Sequence, residues 1–412
     1  MDITPYNAET DREACLRVWE EVGWLDRSDK KRDEAVEKLF GAGRALVSKI
    51  DGEAECLVLA AGGSLRYLDE DISFSGVTGV TTGRVARRQG IAGRLTARLI
   101  AEEADDGAAI SGLGMFEQGF YDRLGMGTGI YERKVRFDPQ LLKVAFAGRP
   151  PKRLSMEDWE ALHACRLARK REHGYVSFNS PLITQAQGNE TGQQFGLGFY
   201  DGPKGELTHF AWFRTKGGEH GPYYVPCMAY QSAEQFLELM GVIKSLGEQV
   251  RVVEMMEPPG IQLQDLLEQP LQNMMITHRG GFQTGSSSLA YWQIRICDVE
   301  ECLSKTKLRR DTLRFNLQLE DPIEKYLDGS TGWKGVGGDY VVEAGKTSGA
   351  ERGTDASLPT LKTTVNAFSR LWLGIRPATG LAVTDTLEGP RDLLEALDDT
   401  FRLPSPARDW DF

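Results

Sequence analysis

Residues 72–101 hold five arginines (Arg84, Arg87, Arg88, Arg94, Arg98) and no Asp or Glu. The chain around them is acidic, with 49 Lys+Arg against 60 Asp+Glu and a net charge of −11. A basic window in such a background reads either as a solvated helix face whose acids lie elsewhere in sequence, or as an anion site. The local order favours the anion site. A β-branched run, Gly76-Val77-Thr78-Gly79-Val80-Thr81-Thr82, ends at Gly83 and reads as a buried strand. Arg87-Arg88-Gln89-Gly90-Ile91-Ala92-Gly93 follows, and Leu95, Leu99 and Ile100 then fall at helical spacing. Backbone N–H groups at the start of such a helix, with its dipole, bind phosphate. Gly90, Ala92 and Gly93 let a pyrophosphate approach the backbone, and Arg87 and Arg88 add charge-assisted bonds. The segment is neither a Walker A loop nor a dinucleotide GxGxxG, since the lysine and the glycine spacing are absent.

The surrounding pattern supplies the scaffold. Cys15, Val18, Trp19 and Val22 share a helical face, and Ala35–Phe40 reads as a second helix. Residues 45–50 and 55–60 flank Asp51-Gly52 as a hairpin. Residues 108–113 and 132–137 read as further strands, so an α/β sheet is expected over 1–139. Between those last two strands lies Gly119-Phe120-Tyr121-Asp122-Arg123-Leu124-Gly125-Met126-Gly127. On its own, Tyr121 reads as a core aromatic with a satisfied hydroxyl.

Two of these segments carry a resemblance. Arg87-x-x-Gly90-x-Ala92 resembles the pyrophosphate loop of the GNAT acyltransferases, R/Q-x-x-G-x-G/A. With the strand 77–82 ahead of it, the segment looks like that of the Eis-type (enhanced intracellular survival) acetyltransferases. Those usually have a proline and a histidine in the intervening four residues, where this chain has Arg84 and Ala86. Residues 119–127 resemble the family's Y-x-R-F/L-G-Y-G element. The resemblance implies acetyl-CoA as cosubstrate, held by Val80, Thr82, Arg87, Arg88, Gly90, Ile91 and Ala92. It implies a backbone N–H of strand 77–82 on the thioester carbonyl and Tyr121 as general acid toward the departing thiolate.

By resemblance the chain has three parts. Residues 1–139 are a catalytic GNAT domain, and 140–288 a degenerate second GNAT-like domain in which no R-x-x-G-x-G/A occurs. Residues 289–412 are a sterol-carrier-like α+β domain, marked by Arg370-Leu371-Trp372-Leu373-Gly374 and the final Phe412. The fold class expected is therefore α/β: two tandem GNAT-type mixed sheets with helices, plus that third domain. The family delivers a terminal carboxylate to the active site as base, and Phe412 matches by position. An α-carboxyl near pKa 3.5 is a feeble base, so it needs desolvation, works through a water, or orients the cation. Asp411 and Asp26 are candidates for an acidic amine pocket. A homohexamer is the family's assembly.

Composition narrows the rest. No stretch approaches the roughly 18 apolar residues of a membrane helix. The start Met1-Asp2-Ile3-Thr4-Pro5 has no signal-peptide pattern, which together with the scattered cysteines suggests a cytoplasmic protein. The six cysteines form no CxxC or Cys/His cluster, so neither a metal site nor a disulfide framework is expected. The acidic balance argues against nucleic acid as a partner. All five histidines lie beyond residue 162, so the first domain offers no histidine base. The function expected is N-acetyl transfer to primary amines of a polyamine, aminoglycoside-like or lysine acceptor, by direct attack. The alternatives are a non-catalytic acyl-CoA sensor, or a lipid carrier working through the third domain.

Overall fold

The computed structural model describes residues 2–26, 30–146, 148–188 and 192–411. By internal contacts the chain forms two compact units. One comprises Met1–Ile130, Glu172–Ser180 and Ala290–Phe412; the other comprises Tyr131–Arg171 and Pro181–Leu289.

The first unit is built on an eight-stranded sheet. Its strands β1 (Asp2–Pro5), β2 (Arg44–Ile50), β3 (Glu53–Tyr67) and β4 (Glu70–Thr82) run antiparallel in that order. β5 (Ile110–Gly114) joins β4 in parallel. Strand Trp292–Ile296 then pairs antiparallel with β5 and with β6 (Gly127–Thr128), and Val176–Phe178 pairs with β3. The period-2 alternation of β3 divides the core. Leu57 and Leu59 pack with Leu16, Trp19, Val36 and Phe40 of helices α1 (Ala8–Glu21) and α2 (Lys30–Phe40). Cys56, Val58 and Ala60 face the other way, onto Leu95, Leu99 and Ile100 of α3 (Ile91–Asp105). A smaller five-stranded sheet in the same unit takes Leu313–Glu320 and Gly338–Ala344 as an antiparallel pair, with Thr360–Thr364 parallel to the first.

The second unit has a seven-stranded sheet. Glu132–Phe137, at the end of the sequence-expected first domain, is a strand of this sheet, between Gly285–Leu289 and Val253–Met256. Trp292–Ile296, read from sequence as opening the third domain, is instead a strand of the first sheet. Strand partners are chosen by long-range pairing, which periodicity along the chain does not encode. Helix Ala233–Ser245, N-capped by Ser232, buries Phe236, Leu239, Met240 and Ile243 in the core beneath this sheet.

Candidate active site

Register sets the position of the site. β4 and β5 are paired from Phe74–Ile110 to Val77–Leu113, and the pairing stops there. Beyond that point Val77–Thr82 and Leu113–Glu117 line opposite parts of an open cavity of about 670 Å³. That volume is in the range of small-molecule sites. Just past the divergence, β4 carries a bulge. Leu57 opposes Thr81 and Leu59 opposes Thr78, so Val58 alone faces both Gly79 and Val80. Gly79 has φ +63°, which a glycine adopts without strain. The bulge leaves backbone at Gly79–Val80 outside the β3 ladder, facing the cavity. Thr81 Oγ1 donates to Gly79 O at 3.2 Å, which closes the bulge on itself.

One end of the cavity is built for an anion. The chain leaves β4 through a turn of 3-10 helix, Arg84–Ala86, and passes Arg88 and Gly90 in the left-handed region at φ 60° and 72°. Gly90 is the N-cap of α3, and no side chain caps it. The first turn of α3 holds no acidic residue. Its N–H groups and dipole are therefore open to a ligand's negative charge. Arg87 and Ala92 line the cavity.

The other end is aromatic and acidic. Helix α4 (Gln118–Asp122) starts at Glu117, whose carboxylate accepts from Gly119 N at 3.1 Å. Tyr121 lines the cavity while only 6% exposed. Burial pushes its hydroxyl up to about 12, and the negative charge of Glu117 adds to the rise. Phe120 meets Tyr121 edge to face at 4.8 Å. Glu21, Val22 and Trp24, at and just past the end of α1, form the facing wall. Trp24 packs edge to face on Trp19 at 5.6 Å, and Glu21 Oε2 accepts from Arg84 N at 2.9 Å. The residues lining the cavity include no cysteine. Cys56 Sγ lies 3.4 Å from Thr82 Oγ1, and burial pushes that thiol up to about 11, against thiolate formation.

Of the residues singled out from sequence, Val80, Thr82, Arg87, Ala92 and Tyr121 line this one cavity. Arg88 and Gly90 are exposed in the adjoining loop, and Ile91 is buried under the first turn of α3. Asp26 is exposed just beyond Trp24, and the cavity lining includes neither it nor Asp411. Asp411 is exposed and pairs with Arg408 at 2.9 Å. Phe412 lies outside the described residues. The tail before it runs close to the site: the Arg408 guanidinium sits 4.5 Å from the Tyr291 ring centre. The Tyr291 carbonyl in turn accepts from the N–H of Met115, a lining residue, at 2.7 Å. Sequence reasoning missed Glu21, Trp24, Glu117 and Phe120. Glu21 and Trp24 flank the helix end that Gly23 marks, and Glu117 and Phe120 adjoin the Tyr121 run; nothing in the sequence aims them at a common space.

Among the described residues, one group of potential metal ligands comes within reach of a single ion: Asp201, His209 and Glu238, in the second unit. Arg149 already bridges the two carboxylates, with Nη1 2.8 Å from Asp201 Oδ1 and Nε 2.6 Å from Glu238 Oε1. Among the described residues, no helix is long and apolar enough to cross a membrane.

Residues 3–129 match the family described as acetyltransferase (GNAT) domain. The chain carries a GNAT acetyltransferase domain and is an acyltransferase. Its cavity, bulge and uncapped helix start all lie within that matched segment. The fold of the whole chain is similar to a probable N-acyltransferase from Enterococcus faecalis, at TM-score 0.80 and 18% identity over 100% of this chain and 99% of that one. It is also similar to a GCN5-related N-acetyltransferase from Anabaena variabilis (0.78, 15% identity, 100% of both chains). A third is Eis1 from Mycobacterium abscessus (0.77, 16% identity, 100% of both chains). No curated protein matches the sequence. At these identities the solved structures speak to fold, and the GNAT domain itself rests on the family match.

Proposed function

We propose that the protein transfers the acetyl group of acetyl-CoA to a primary amine, by direct attack in a ternary complex. One observation carries this reading: the bulge at Gly79–Val80, Ala92 in the uncapped first turn of α3, and Tyr121 line a single cavity. The pyrophosphate lies at Arg87, Arg88, Gly90, Ile91 and Ala92, and the pantetheine arm runs along Val80 and Thr82. The neutral amine's lone pair attacks the thioester carbon. The backbone N–H at the bulge stabilises the oxyanion. The C–S bond then breaks with its electron pair on sulfur. Tyr121 offers its O–H to that sulfur, and the amine nitrogen gives up one proton, so the sum is an amide and a thiol. A hydroxyl at about 12 is neutral at working pH and acts first as a hydrogen-bond donor to the developing thiolate. The raised thiols at Cys15 (about 12) and Cys56 (about 11) support direct attack over an acyl-cysteine.

Glu21, Glu117, Trp24 and Phe120 suit a protonated, multiply charged acceptor, with carboxylates for its ammonium groups and ring faces for the cation. Polyamine, aminoglycoside-like and lysine acceptors share that chemistry. Asp26 and Asp411 stand at the surface, where they add to the attraction of such a cation. The Phe412 carboxylate as base, the homohexamer and the three-part division at 139 and 288 rest on the resemblance; the cytoplasmic setting rests on the N-terminal pattern and the scattered cysteines.

The test is free-thiol release from acetyl-CoA over a panel of amines, for the wild type, Tyr121→Phe and a chain extended beyond Phe412. Turnover lost in both variants with CoA binding retained supports the tyrosine and the terminal carboxylate together. Normal turnover of the extended chain removes the terminus from the mechanism. CoA binding with no turnover on any amine would favour a sensor.

A further inference from the structure

Helix α4, which carries Tyr121, is five residues long. A helix that short does not hold its own geometry in water. Its C-terminal carbonyls must find donors, and these come from far along the chain. Asn366 Nδ2 donates to Asp122 O and to Met126 O, both at 2.8 Å. Arg295 Nη1 donates to Leu124 O at 2.6 Å. Gln293 Nε2 donates to the Asp122 carboxylate at 2.6 Å. Arg295 is itself fixed by Asp321, with Nη2 to Oδ2 at 2.6 Å and both side chains fully buried. The Tyr121 carbonyl is tied into the same turn, accepting from Leu124 N and Met126 N at 2.9 and 3.3 Å. Asp122, which follows Tyr121, and the turn at Leu124 and Met126 are thus held by side chains of residues 293, 295 and 366.

We infer that Asn366, with Arg295 and Gln293, is a positioning residue for Tyr121, so that residues 290–412 act on catalysis by fixing the helix that aims its hydroxyl. The inference rests on the role proposed for Tyr121. Asn366 touches neither the cavity nor Tyr121's hydroxyl; it acts on the backbone on either side of the turn. Loss of its two bonds lets α4 shift or fray, and the hydroxyl moves relative to the sulfur while the loop at 87–92 is untouched.

The test is a double-mutant cycle on the full chain, read by steady-state kinetics with acetyl-CoA. Asn366→Ala is expected to lower kcat by about 10²-fold and to change KM for acetyl-CoA by less than about twofold. In the Tyr121→Phe background the same substitution is expected to cost nothing further, because the group it aims is gone. An acetyl thioester of a more acidic thiol, whose sulfur needs no proton to leave, should recover most of the Asn366→Ala loss. Asn316→Ala is the structural control. That side chain ties the strand Leu313–Glu320 to the loop carbonyls of Asp355 and Leu358, at 2.8 and 3.1 Å. It should lower the melting temperature and leave kcat alone. If Asn366→Ala does not fold, Gln293→Met, which removes the donor to Asp122, is read in the same cycle. Wild-type kcat in the folded variant, or a loss that adds in full to that of Tyr121→Phe, would overturn the inference while leaving the tyrosine's role standing. Full activity in Tyr121→Phe itself would overturn both.

Discussion

The indole Nε1 of Trp19 donates to Thr81 Oγ1 across 3.1 Å, tying helix α1 to the bulged strand of the GNAT domain. Thr81 passes the bond on to the Gly79 carbonyl, so the indole holds the bulge that lines the cavity. Trp19 is also the ring on which Trp24 and Phe40 lean, at 5.6 and 5.2 Å. Trp19→Phe keeps an aromatic there and removes the donor. It should cost about 1 kcal/mol of stability. It should lower kcat more than it raises KM for acetyl-CoA, because the backbone proposed to polarise the carbonyl loosens while the loop at 87–92 is unchanged. Denaturant unfolding and steady-state kinetics on the same preparation separate the two effects.

Gly79→Ala tests the bulge directly. At φ +63° an alanine is strained, and its Cβ would stand 2.7 Å from Leu59 Cδ1 and 3.3 Å from Trp19 Cζ2. The strain alone is worth roughly 1–2 kcal/mol. Relief by moving the bulge would displace the backbone N–H proposed to stabilise the oxyanion, and loss of one such donor typically costs about 10²-fold in kcat. Activity should therefore fall far more than the melting temperature suggests. A fall in proportion to unfolded protein would remove the bulge from the mechanism.

The parts of this site that were legible in sequence are those that lie close together along the chain. Strand, loop and helix start follow one another from Val77 to Ala92, and the Tyr121 run follows soon after. The parts that were not legible depend on distant pairing. Trp19 and Thr81 are 62 residues apart. Nothing local tells Trp292–Ile296 to pair with β5 rather than to open a new domain, although the segment reads as a strand. Glu21 and Trp24 reach the cavity because the turn after α1 brings the Trp24 N–H onto the Trp19 carbonyl at 2.9 Å. The bulge did leave a trace: Gly79 interrupts a β-branched run, and such a glycine marks a break in the ladder.

Arg87 and Arg88 should act on acyl-CoA binding through charge. Replacing either with Ala should raise KM for acetyl-CoA and leave kcat close to wild type, since neither reaches the reacting carbon. The wild-type KM should rise with salt, and the double variant should be much less salt-sensitive, because screening weakens only what the arginines contribute. Shortened thioesters that end within the pantetheine arm, and so lack the pyrophosphate, should not distinguish the variants from wild type. A KM effect that persists with those donors would place the arginines elsewhere in the mechanism.

Tyr121 sets an expectation for pH. Burial holds its hydroxyl up near 12, so it stays protonated well beyond the ordinary value of 10.0. A general acid must be protonated to work, so no alkaline loss of kcat should come from this group below about pH 11. Any fall at lower pH belongs to another group or to the acceptor. Tyr121→Phe should reduce kcat by about 10²-fold or more without changing the shape of the profile in that range. An alkaline limb near the ordinary tyrosine value in the wild type, absent from the variant, would show that substrate binding lowers the pKa instead.

His173 should make the first unit sensitive to acid. Its Nδ1 accepts from Leu68 N at 3.1 Å and its Nε2 donates to Leu373 O at 3.0 Å, so the buried ring is neutral with the proton on Nε2. Burial lowers its pKa from 6.5 to about 4, opposed by the bond to Leu373. Below pH 6.5 the unfolded chain takes up a proton that the folded chain refuses, so stability is lost as pH falls from 6.5 toward 4. The loss amounts to about 3 kcal/mol when complete. His173→Gln should be less stable than wild type at pH 7 and should lose less between pH 7 and 4.5, as read by urea midpoints at the two values. The segment this histidine anchors also carries Phe178, on which Trp410 packs edge to face at 5.6 Å. Acid should therefore release the C-terminal tail beside the cavity before the rest of the unit unfolds. Hydrogen exchange at pH 5 should find residues 172–180 and 405–411 opening together; protection there equal to that of β3 would refute the coupling.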